Sequence, residues 1–149
     1  MRAHEEGETP FEYNSITDQI IIGTNQCCQS HFDETLLAQG VTVDISLEEE
    51  KLDAPFGVEL YAWIPVKDHT PPTRDQLEMG VGLLASIIRC GKKVYVHCKN
   101  GHGRAPTLVS AYLIRQGMSV EQAITAVHAQ RPVIHLEPSQ KEALEAFIR

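Results

Sequence analysis

Cys98 and Arg104 are the two residues of this chain whose types and spacing most directly indicate chemistry. They lie six positions apart in the segment VYVHCKNGHGRAPT, with Gly101 and Gly103 between them. A cysteine thiolate is a strong nucleophile, and the planar guanidinium of arginine can bind two oxygens of one phosphate group. The pair therefore predicts a loop that binds a phosphate group beside a nucleophilic sulfur.

The segments on either side of this loop explain how it would bind an anion. Residues 93–97 form an apolar run typical of a buried strand, the glycines permit a tight turn, and helical spacing of apolar residues begins at Arg104. In a strand–turn–helix of this kind, backbone N–H groups converge at the helix N-terminus, whose partial positive charge favours an anion and a thiolate. The predicted phosphate-binding residues are Lys99, Asn100, Gly101, His102, Gly103 and Arg104.

Cleavage of a phosphate ester also needs an acid that protonates the departing oxygen. Asp68 is the candidate, because it lies thirty residues before Cys98 in KDHTPPT, between a predicted strand and a predicted helix. Asp75 is the competitor, but it falls in the first turn of that helix, where the helix dipole already explains an acidic residue. The expected cycle forms a cysteinyl-phosphate intermediate, which water then hydrolyses with Asp68 as the base.

Residues 97–104 resemble the HCxxGxxR signature of cysteine-dependent protein tyrosine and dual-specificity phosphatases. The resemblance runs from residues 14–23 to the C-terminal helix, and it is strongest to small dual-specificity enzymes similar to the mitochondrial phosphatidylglycerophosphate phosphatase. Three segments carry that similarity: 94–99, 111–114 and 134–138. The resemblance implies the fold and the reaction of this family, and it also implies a general-acid loop at Asp68.

One position departs from the family pattern. The family usually has Ser or Thr directly after the arginine, where the hydroxyl assists the thiolate as leaving group, whereas this chain has Ala105. Thr107 lies about 200° further round the helix, so we do not expect it to replace that hydroxyl. Plant glucan phosphatases resemble this chain in having Arg-Ala-Pro here. The departure therefore bears on the rate and not on the class of reaction.

Apolar segments rich in β-branched residues alternate with amphipathic segments along the chain. The predicted strands are 19–22, 41–46, 58–66 and 93–97, and the predicted helices are 31–39, 73–90, 104–116, 119–131 and 139–148. Thr73 with Gln76, and Ser119 with Gln122, form capping-box patterns. We therefore predict an α/β fold with a central, mostly parallel sheet of four to five strands flanked by helices. The resemblance implies that this fold is of the dual-specificity-phosphatase type.

The length and composition predict one domain over residues 1–149, because 149 residues with 42% hydrophobic content suit one substantial core. The resemblance implies that it is a phosphatase catalytic domain. No apolar run approaches the roughly 18 residues of a membrane span, so we expect no integral membrane association. Residues 1–10 are acidic without an apolar core, so we expect them to be mobile and to be neither a signal nor a transit peptide. The net charge of −7 gives no support to nucleic-acid binding. We expect a cytoplasmic monomer.

Three further cysteines form neither a metal-binding spacing nor a disulfide framework, which fits a reducing compartment. They are Cys27, Cys28 and Cys90. A disulfide from one of them to Cys98 is the alternative, but ordinary packing is favoured. No cofactor and no metal are expected. A site made of His97, Cys98 and His102 is disfavoured because neighbouring strand residues point to opposite faces.

The remaining polar residues near the loop each have a structural and a functional interpretation. His97 is expected to hydrogen-bond beneath the loop in a supporting role. Lys99 and His102 either contact substrate or form a solvated rim, and His69 either orients substrate or is simply exposed. For the acidic run 48–50 a solvated loop is favoured, with a part of the pocket wall as the alternative.

Three classes of function follow from these residues. The leading one is a phosphomonoester hydrolase of phosphotyrosine, and also of phosphoserine or phosphothreonine, whose partner is a phosphorylated protein. The second keeps the chemistry but takes a lipid, inositol or glucan phosphate, and the third is a non-catalytic phosphate-binding module, which Ala105 suggests and Asp68 opposes. Rhodanese-like domains would not explain Asp68. Low-molecular-weight tyrosine phosphatases carry their cysteine near the N-terminus.

Overall fold

The computed structural model describes residues 9–148. Its elements are β1 (Tyr13–Ser15), β2 (Ile20–Gly23), a short 3₁₀ turn (Asn25–Cys27), α1 (Glu34–Ala38), β3 (Val41–Glu48), β4 (Leu60–Val66), α2 (Arg74–Arg89), β5 (Lys93–His97), α3 (Arg104–Arg115), α4 (Val120–Gln130) and α5 (Pro138–Phe147). Most of the segment predicted to be mobile, residues 1–8, lies outside the described residues. Within residues 9–148, none of the helices has the length and hydrophobicity needed to cross a bilayer.

The five strands form one sheet in the order β1-β2-β5-β3-β4. Every neighbouring pair is parallel except β1 with β2, which confirms the predicted α/β fold with a mostly parallel sheet. β5 has the predicted bounds. The sequence does not predict β1, because three residues that include Asn14 and Ser15 are too short and too polar to show a strand pattern.

Both faces of the sheet are buried by alternating residues of the central strands. On one face, Ile22 and Val96 belong to the core shared with α2–α5. On the other face, Ile21 and Tyr95 pack with Phe32 in the smaller cluster beside α1. Helices therefore cover both sides of the sheet, as parallel strands require.

Side-chain caps fix where the helices that flank the site begin. Thr73 accepts a hydrogen bond from the Gln76 backbone N–H (3.1 Å), and Gln76 accepts one in return from the Thr73 backbone (3.0 Å). Ser119 and Gln122 form the same reciprocal pair. Both predicted capping boxes are confirmed, and the first one ends the loop that contains Asp68.

The carboxyl ends of the parallel strands meet at one edge of the sheet, which is where α/β folds place their ligands. Four loops begin there: Asn25 follows β2, Glu50 follows β3, Asp68 follows β4 and Cys98 follows β5. Residues that are far apart in sequence are thereby gathered at one end of the sheet.

Candidate active site

Cys98 lies at the base of a cleft of about 130 Å³ at this edge of the sheet, and only 3% of the residue is exposed. It directly follows β5, the middle strand of the sheet, so the position of Cys98 is set by a strand that is paired on both sides. The residues that line the cleft are Asp68, His69, Cys98, Asn100, His102, Gly103, Arg104, His135, Glu137 and Gln140. The cleft thus brings together the predicted nucleophile, phosphate-binding arginine and acid.

Not every predicted phosphate-binding residue reaches the cleft. Asn100, His102, Gly103 and Arg104 line it, but Lys99 and Gly101 are not among the lining residues. Gly101 is buried behind the loop with a φ of 69°. A Cβ at this position would lie 2.7 Å from the Gly23 carbonyl oxygen, so both the backbone conformation and the space require glycine.

The guanidinium of Arg104 is fixed along one edge by protein oxygens. Nη1 donates to Glu50 Oε1 (2.9 Å) and to the Val66 carbonyl oxygen (2.8 Å), and Nη2 donates to Glu50 Oε2 (3.1 Å). Nε has no hydrogen-bond partner within the described residues, although Arg104 is only 1% exposed. A buried N–H donor without a partner is costly, so Nε is available to an oxygen of a bound phosphate.

Glu50 is a supporting residue that the sequence did not assign. Burial alone would raise the pKa of its carboxyl, but the hydrogen bonds to Arg104 outweigh this effect and lower the pKa. The favoured prediction of a solvated loop at 48–50 is wrong for Glu48, which is buried and accepts a hydrogen bond from Asn25 Nδ2 (2.8 Å). An acidic residue just beyond the carboxyl end of β3 is the only signal in the sequence that points to Glu50.

Asp68 lies on the loop after β4, and its side chain is 47% exposed at the cleft. Its Oδ1 is 3.3 Å from Arg104 Nη2. The loop is tied to α5 because Gln140 Nε2 donates to the Thr70 carbonyl oxygen (3.1 Å) and His69 Nδ1 lies 3.0 Å from Glu137 Oε2. Asp75 lies in the first turn of α2 and is not a lining residue.

Arg131 is a second residue that sequence reasoning missed, because it was interpreted only as the end of a helix. It is fully buried, and its Nε and Nη2 donate to the carbonyl oxygens of Gly101 and Asn100 (both 2.9 Å). Its Nη1 donates to Asn14 Oδ1 (2.7 Å) on β1. Arg131 therefore binds the back of the phosphate loop and connects it to the N-terminal strand.

His97 lies beneath the loop, as the sequence predicts. It is fully buried, its Nδ1 is 3.2 Å from the Cys98 carbonyl oxygen, and its Nε2 is 2.8 Å from Asp53 Oδ2 and 3.2 Å from Asp44 Oδ1. Burial disfavours the charged imidazole, but the hydrogen bonds to Asp44 and Asp53 outweigh it and raise the pKa of His97 well above its usual value. Burial raises the pKa of Asp44 to about 7.

Three other histidines lie at the cleft. His69, His102 and His135 all line it, and burial lowers the pKa of His102. His102 lines the cleft, whereas His97 is not among the lining residues.

The prediction that the remaining cysteines form no disulfide is wrong for Cys27 and Cys28, which are joined to each other. The spacing of cysteines along a chain indicates disulfides that join separate segments. A bond between adjacent residues closes no loop between segments, so the spacing does not indicate it. Cys98 and Cys90 are free, and Cys90 is exposed. Neither partner of the disulfide is therefore bonded to Cys98.

The helix after the loop places Ala105 where the family pattern has a hydroxyl. Ala105 is fully buried, and Thr107 uses its hydroxyl to donate to the Gly103 carbonyl oxygen (2.7 Å). The Thr107 hydroxyl is thus engaged within its own helix. Its expected inability to replace the missing hydroxyl stays a prediction.

Comparisons with known proteins agree with this arrangement. Human phosphatidylglycerophosphatase and protein-tyrosine phosphatase 1 is 42% identical over 77 residues, which are 51% of this chain and 38% of that protein. This chain thus spans about two fifths of the length of that relative. Bovine protein tyrosine phosphatase type IVA 3 is 37% identical over 137 residues, which are 87% of this chain and 78% of that protein.

A solved structure and a family model extend the comparison to nearly the whole chain. The crystal structure of PTPMT1 in complex with PI(5)P superposes with a TM-score of 0.78 at 30% identity, covering 91% of this chain and 93% of that one. Residues 21–149 match the sequence model of the family described as dual specificity phosphatase, catalytic domain. The matched range includes the cysteine, the arginine and the aspartate that meet in the cleft. Because this match covers most of the chain, the protein belongs to the dual specificity phosphatase family.

Proposed function

We propose that this protein hydrolyses phosphate monoesters through a cysteinyl-phosphate intermediate, and that its substrates are phosphotyrosine and also phosphoserine or phosphothreonine in proteins. The observation that carries the proposal is the grouping of Cys98, Arg104 and Asp68 around one cleft. A site that only bound phosphate would need neither a nucleophile nor an acid.

The proposed cycle has two steps. First, Cys98 Sγ attacks phosphorus, the ester P–O bond breaks, and Asp68 gives its proton to the departing oxygen. Arg104 binds two phosphate oxygens through Nε and Nη2 and stabilises the charge that develops on them. Second, water attacks the phosphorus, Asp68 takes the proton of this water, and the S–P bond breaks to release inorganic phosphate and the thiolate.

Asp68→Asn is expected to lower kcat by roughly 10²-fold or more on an alkyl phosphate, because the departing alkoxide then receives no proton. The loss should shrink on aryl phosphates whose leaving groups need little protonation. Steady-state kinetics across a series of substrates graded by the acidity of the leaving group would measure both effects.

Asp75→Asn is the matched control, since it makes the same chemical change seven residues later, outside the cleft. Its kinetics should stay close to those of the parent. If Asp75→Asn were the impaired variant, or if the Asp68→Asn loss did not depend on the leaving group, Asp68 would not be the acid.

A second candidate function is hydrolysis of a lipid or other small phosphate, with phosphatidylglycerophosphate, inositol phosphates and glucan phosphates as the candidate substrates. Two comparisons favour the lipid: the human relative is a phosphatidylglycerophosphatase by name, and the superposed PTPMT1 structure contains PI(5)P. His69, His102 and His135 surround the opening of the cleft, where imidazole groups can hydrogen-bond to a polar headgroup.

A substrate panel separates these candidates. Phosphopeptides, inositol phosphates, a phosphoglucan, and phosphatidylglycerophosphate in detergent micelles would be assayed by release of inorganic phosphate. We expect the highest kcat/KM on phosphotyrosine peptides. A higher value on a lipid or sugar phosphate would replace the first candidate by the second. Tight phosphate binding without turnover of any substrate would identify the third class, a binding module.

The location and the assembly of the protein stay predictions. We propose a cytoplasmic monomer, and the length and hydrophobic content support one domain over residues 1–149.

A further inference from the structure

A cluster of metal-ligating side chains lies next to the phosphate loop and outside the cleft. It contains two sulfurs, two carboxylates and one imidazole, and their ligand atoms all lie within 4.8 Å of one another. The members are Cys27, Cys28, Asp44, Asp53 and His97. None of them lines the cleft, so the proposed phosphatase chemistry uses none of them as a reacting group.

The polar atoms of this cluster are incompletely satisfied. Within the described residues, Asp44 Oδ2 and Asp53 Oδ1 have no hydrogen-bond partner, and Asp44 Oδ1 has only its contact with His97 Nε2 at 3.2 Å; both side chains are at least 99% buried. His97 Nε2 faces both carboxylates, but a ring nitrogen carries at most one hydrogen. Buried carboxylates without partners are costly, and a bound cation removes that cost.

The orientation of His97 suits coordination. Its Nδ1 lies 3.2 Å from the Cys98 carbonyl oxygen, which can only accept, so the Nδ1–H donates to it. Nε2 faces the sulfurs and the carboxylates, so a cation that displaces its proton would meet the Nε2 lone pair there. A hydrogen bond from the other ring nitrogen to a carbonyl is the usual support of a metal-bound histidine.

The distances suit a tetrahedral ion of the size of zinc. Zn–S and Zn–N bonds of about 2.3 and 2.1 Å place the sulfur and nitrogen about 3.6 Å apart at a tetrahedral angle. Cys28 Sγ and His97 Nε2 are 3.6 Å apart. The two carboxylate oxygens are slightly closer to Nε2, at 2.8 and 3.2 Å, so binding the ion requires a small outward movement of one aspartate. It also requires the two sulfurs, which are bonded to each other in this structure, to move apart after reduction.

We propose that Cys27 and Cys28, when reduced, form with His97 and one of the two aspartates a buried site for a zinc-like divalent cation, and that the disulfide between them is the form that cannot bind it. Thiolates are ligands of zinc, whereas a disulfide offers no anionic sulfur. The site is therefore specific for the reduced protein.

The chemistry balances with a phosphine as the reductant. The phosphine and one water convert the Cys27–Cys28 disulfide into two thiols and a phosphine oxide. The divalent cation then displaces the two thiol protons and the Nε2 proton of His97, which leave to water. The bound ion would hold His97 one residue before Cys98, without contacting the substrate. The proposed metal site therefore stabilises the structure and takes no direct part in the phosphatase reaction.

The test uses the full-length chain with Cys98→Ser, so that the thiol at the cleft cannot bind metal. The protein is reduced with a phosphine without air and titrated with Co²⁺, which gives a thiolate charge-transfer absorption and visible bands typical of tetrahedral sites. Zn²⁺ is then titrated in competition with a chromophoric chelator. We expect one equivalent of either metal in the reduced protein and none in the oxidised protein. Well under one equivalent after complete reduction would overturn the proposal.

Ligand variants distinguish this cluster from adventitious binding. Cys28→Ser should weaken Zn²⁺ binding by at least about 10-fold and reduce the charge-transfer absorption. Asp44→Asn and Asp53→Asn, compared as single variants, show which carboxylate is the ligand. Cys90→Ser, which removes the exposed free thiol, should change neither. Unchanged affinity in Cys28→Ser would also overturn the proposal. If that variant does not fold, the number of thiolates counted from the Co²⁺ absorption of the parent decides the question, since the proposal requires two.

Discussion

Cys98→Ser is expected to abolish turnover of an aryl phosphate, with a loss of roughly 10⁴-fold or more in kcat, while the affinity for inorganic phosphate stays close to that of the parent. A serine hydroxyl in place of the thiolate is a much weaker nucleophile, so the covalent intermediate no longer forms. Arg104 and the loop backbone remain in this variant. Arg104 Nε, which has no hydrogen-bond partner within the described residues, can still donate to a bound anion. Nitrophenol release measures the turnover, and calorimetric titration measures the phosphate affinity.

Cys90→Ser is the control for the loss of a thiol, because Cys90 is the other free cysteine and is exposed at the end of α2. It should retain parental kinetics. Substantial residual turnover in Cys98→Ser would rule out the covalent mechanism. Loss of phosphate binding in that variant would show that the sulfur, and not the arginine and loop, provides most of the anion affinity.

Arg104→Lys is expected to lower kcat/KM by roughly 10²- to 10³-fold, because an ammonium group cannot make the two parallel hydrogen bonds of a guanidinium. The substitution also breaks the two-point contact with Glu50 and leaves that carboxylate with at most one of its two hydrogen bonds. The phosphate and the Glu50 carboxylate therefore each lose a two-point hydrogen-bonded contact, although the positive charge at position 104 is kept. Phosphate affinity and kcat/KM on one aryl phosphate would be measured together.

Arg115→Lys on the same helix provides a matched control. Arg115 also makes a two-point contact, with Glu78, but it lies at the exposed end of α3 away from the cleft. Its replacement should leave kcat/KM unchanged. Near-parental kinetics in Arg104→Lys would mean that the positive charge alone is sufficient and that the bidentate geometry does not contribute.

Local pattern predicted the central part of the fold well. The apolar run of β5 and the capping boxes of α2 and α4 depend on residues close together in sequence, so the chain itself shows where these elements begin. β1 is different, because its three residues form a strand only through their antiparallel pairing with β2. Nothing within Tyr13–Ser15 indicates that partner.

The candidate site divides in the same way. Cys98, Arg104 and Asp68 could be predicted because six-residue spacing and a loop between two recognisable elements carry the signal. Glu50 and Arg131 could not, because each acts on a residue 30 or more positions away and becomes visible only when the strands and helices are packed. The metal-ligating cluster combines four separate segments, so ligand spacing along the chain could not indicate it.

The contacts of Arg131 have a consequence for synthesis on the ribosome. A nascent chain that ends before position 131 already contains the nucleophile, the phosphate-binding arginine and the acid, but the carbonyls of Asn100 and Gly101 have no guanidinium to bind them. Asn14 lacks this partner as well, so two segments that are far apart in the chain depend on Arg131. The phosphate loop therefore gains these hydrogen bonds only after the strands that support it have been made.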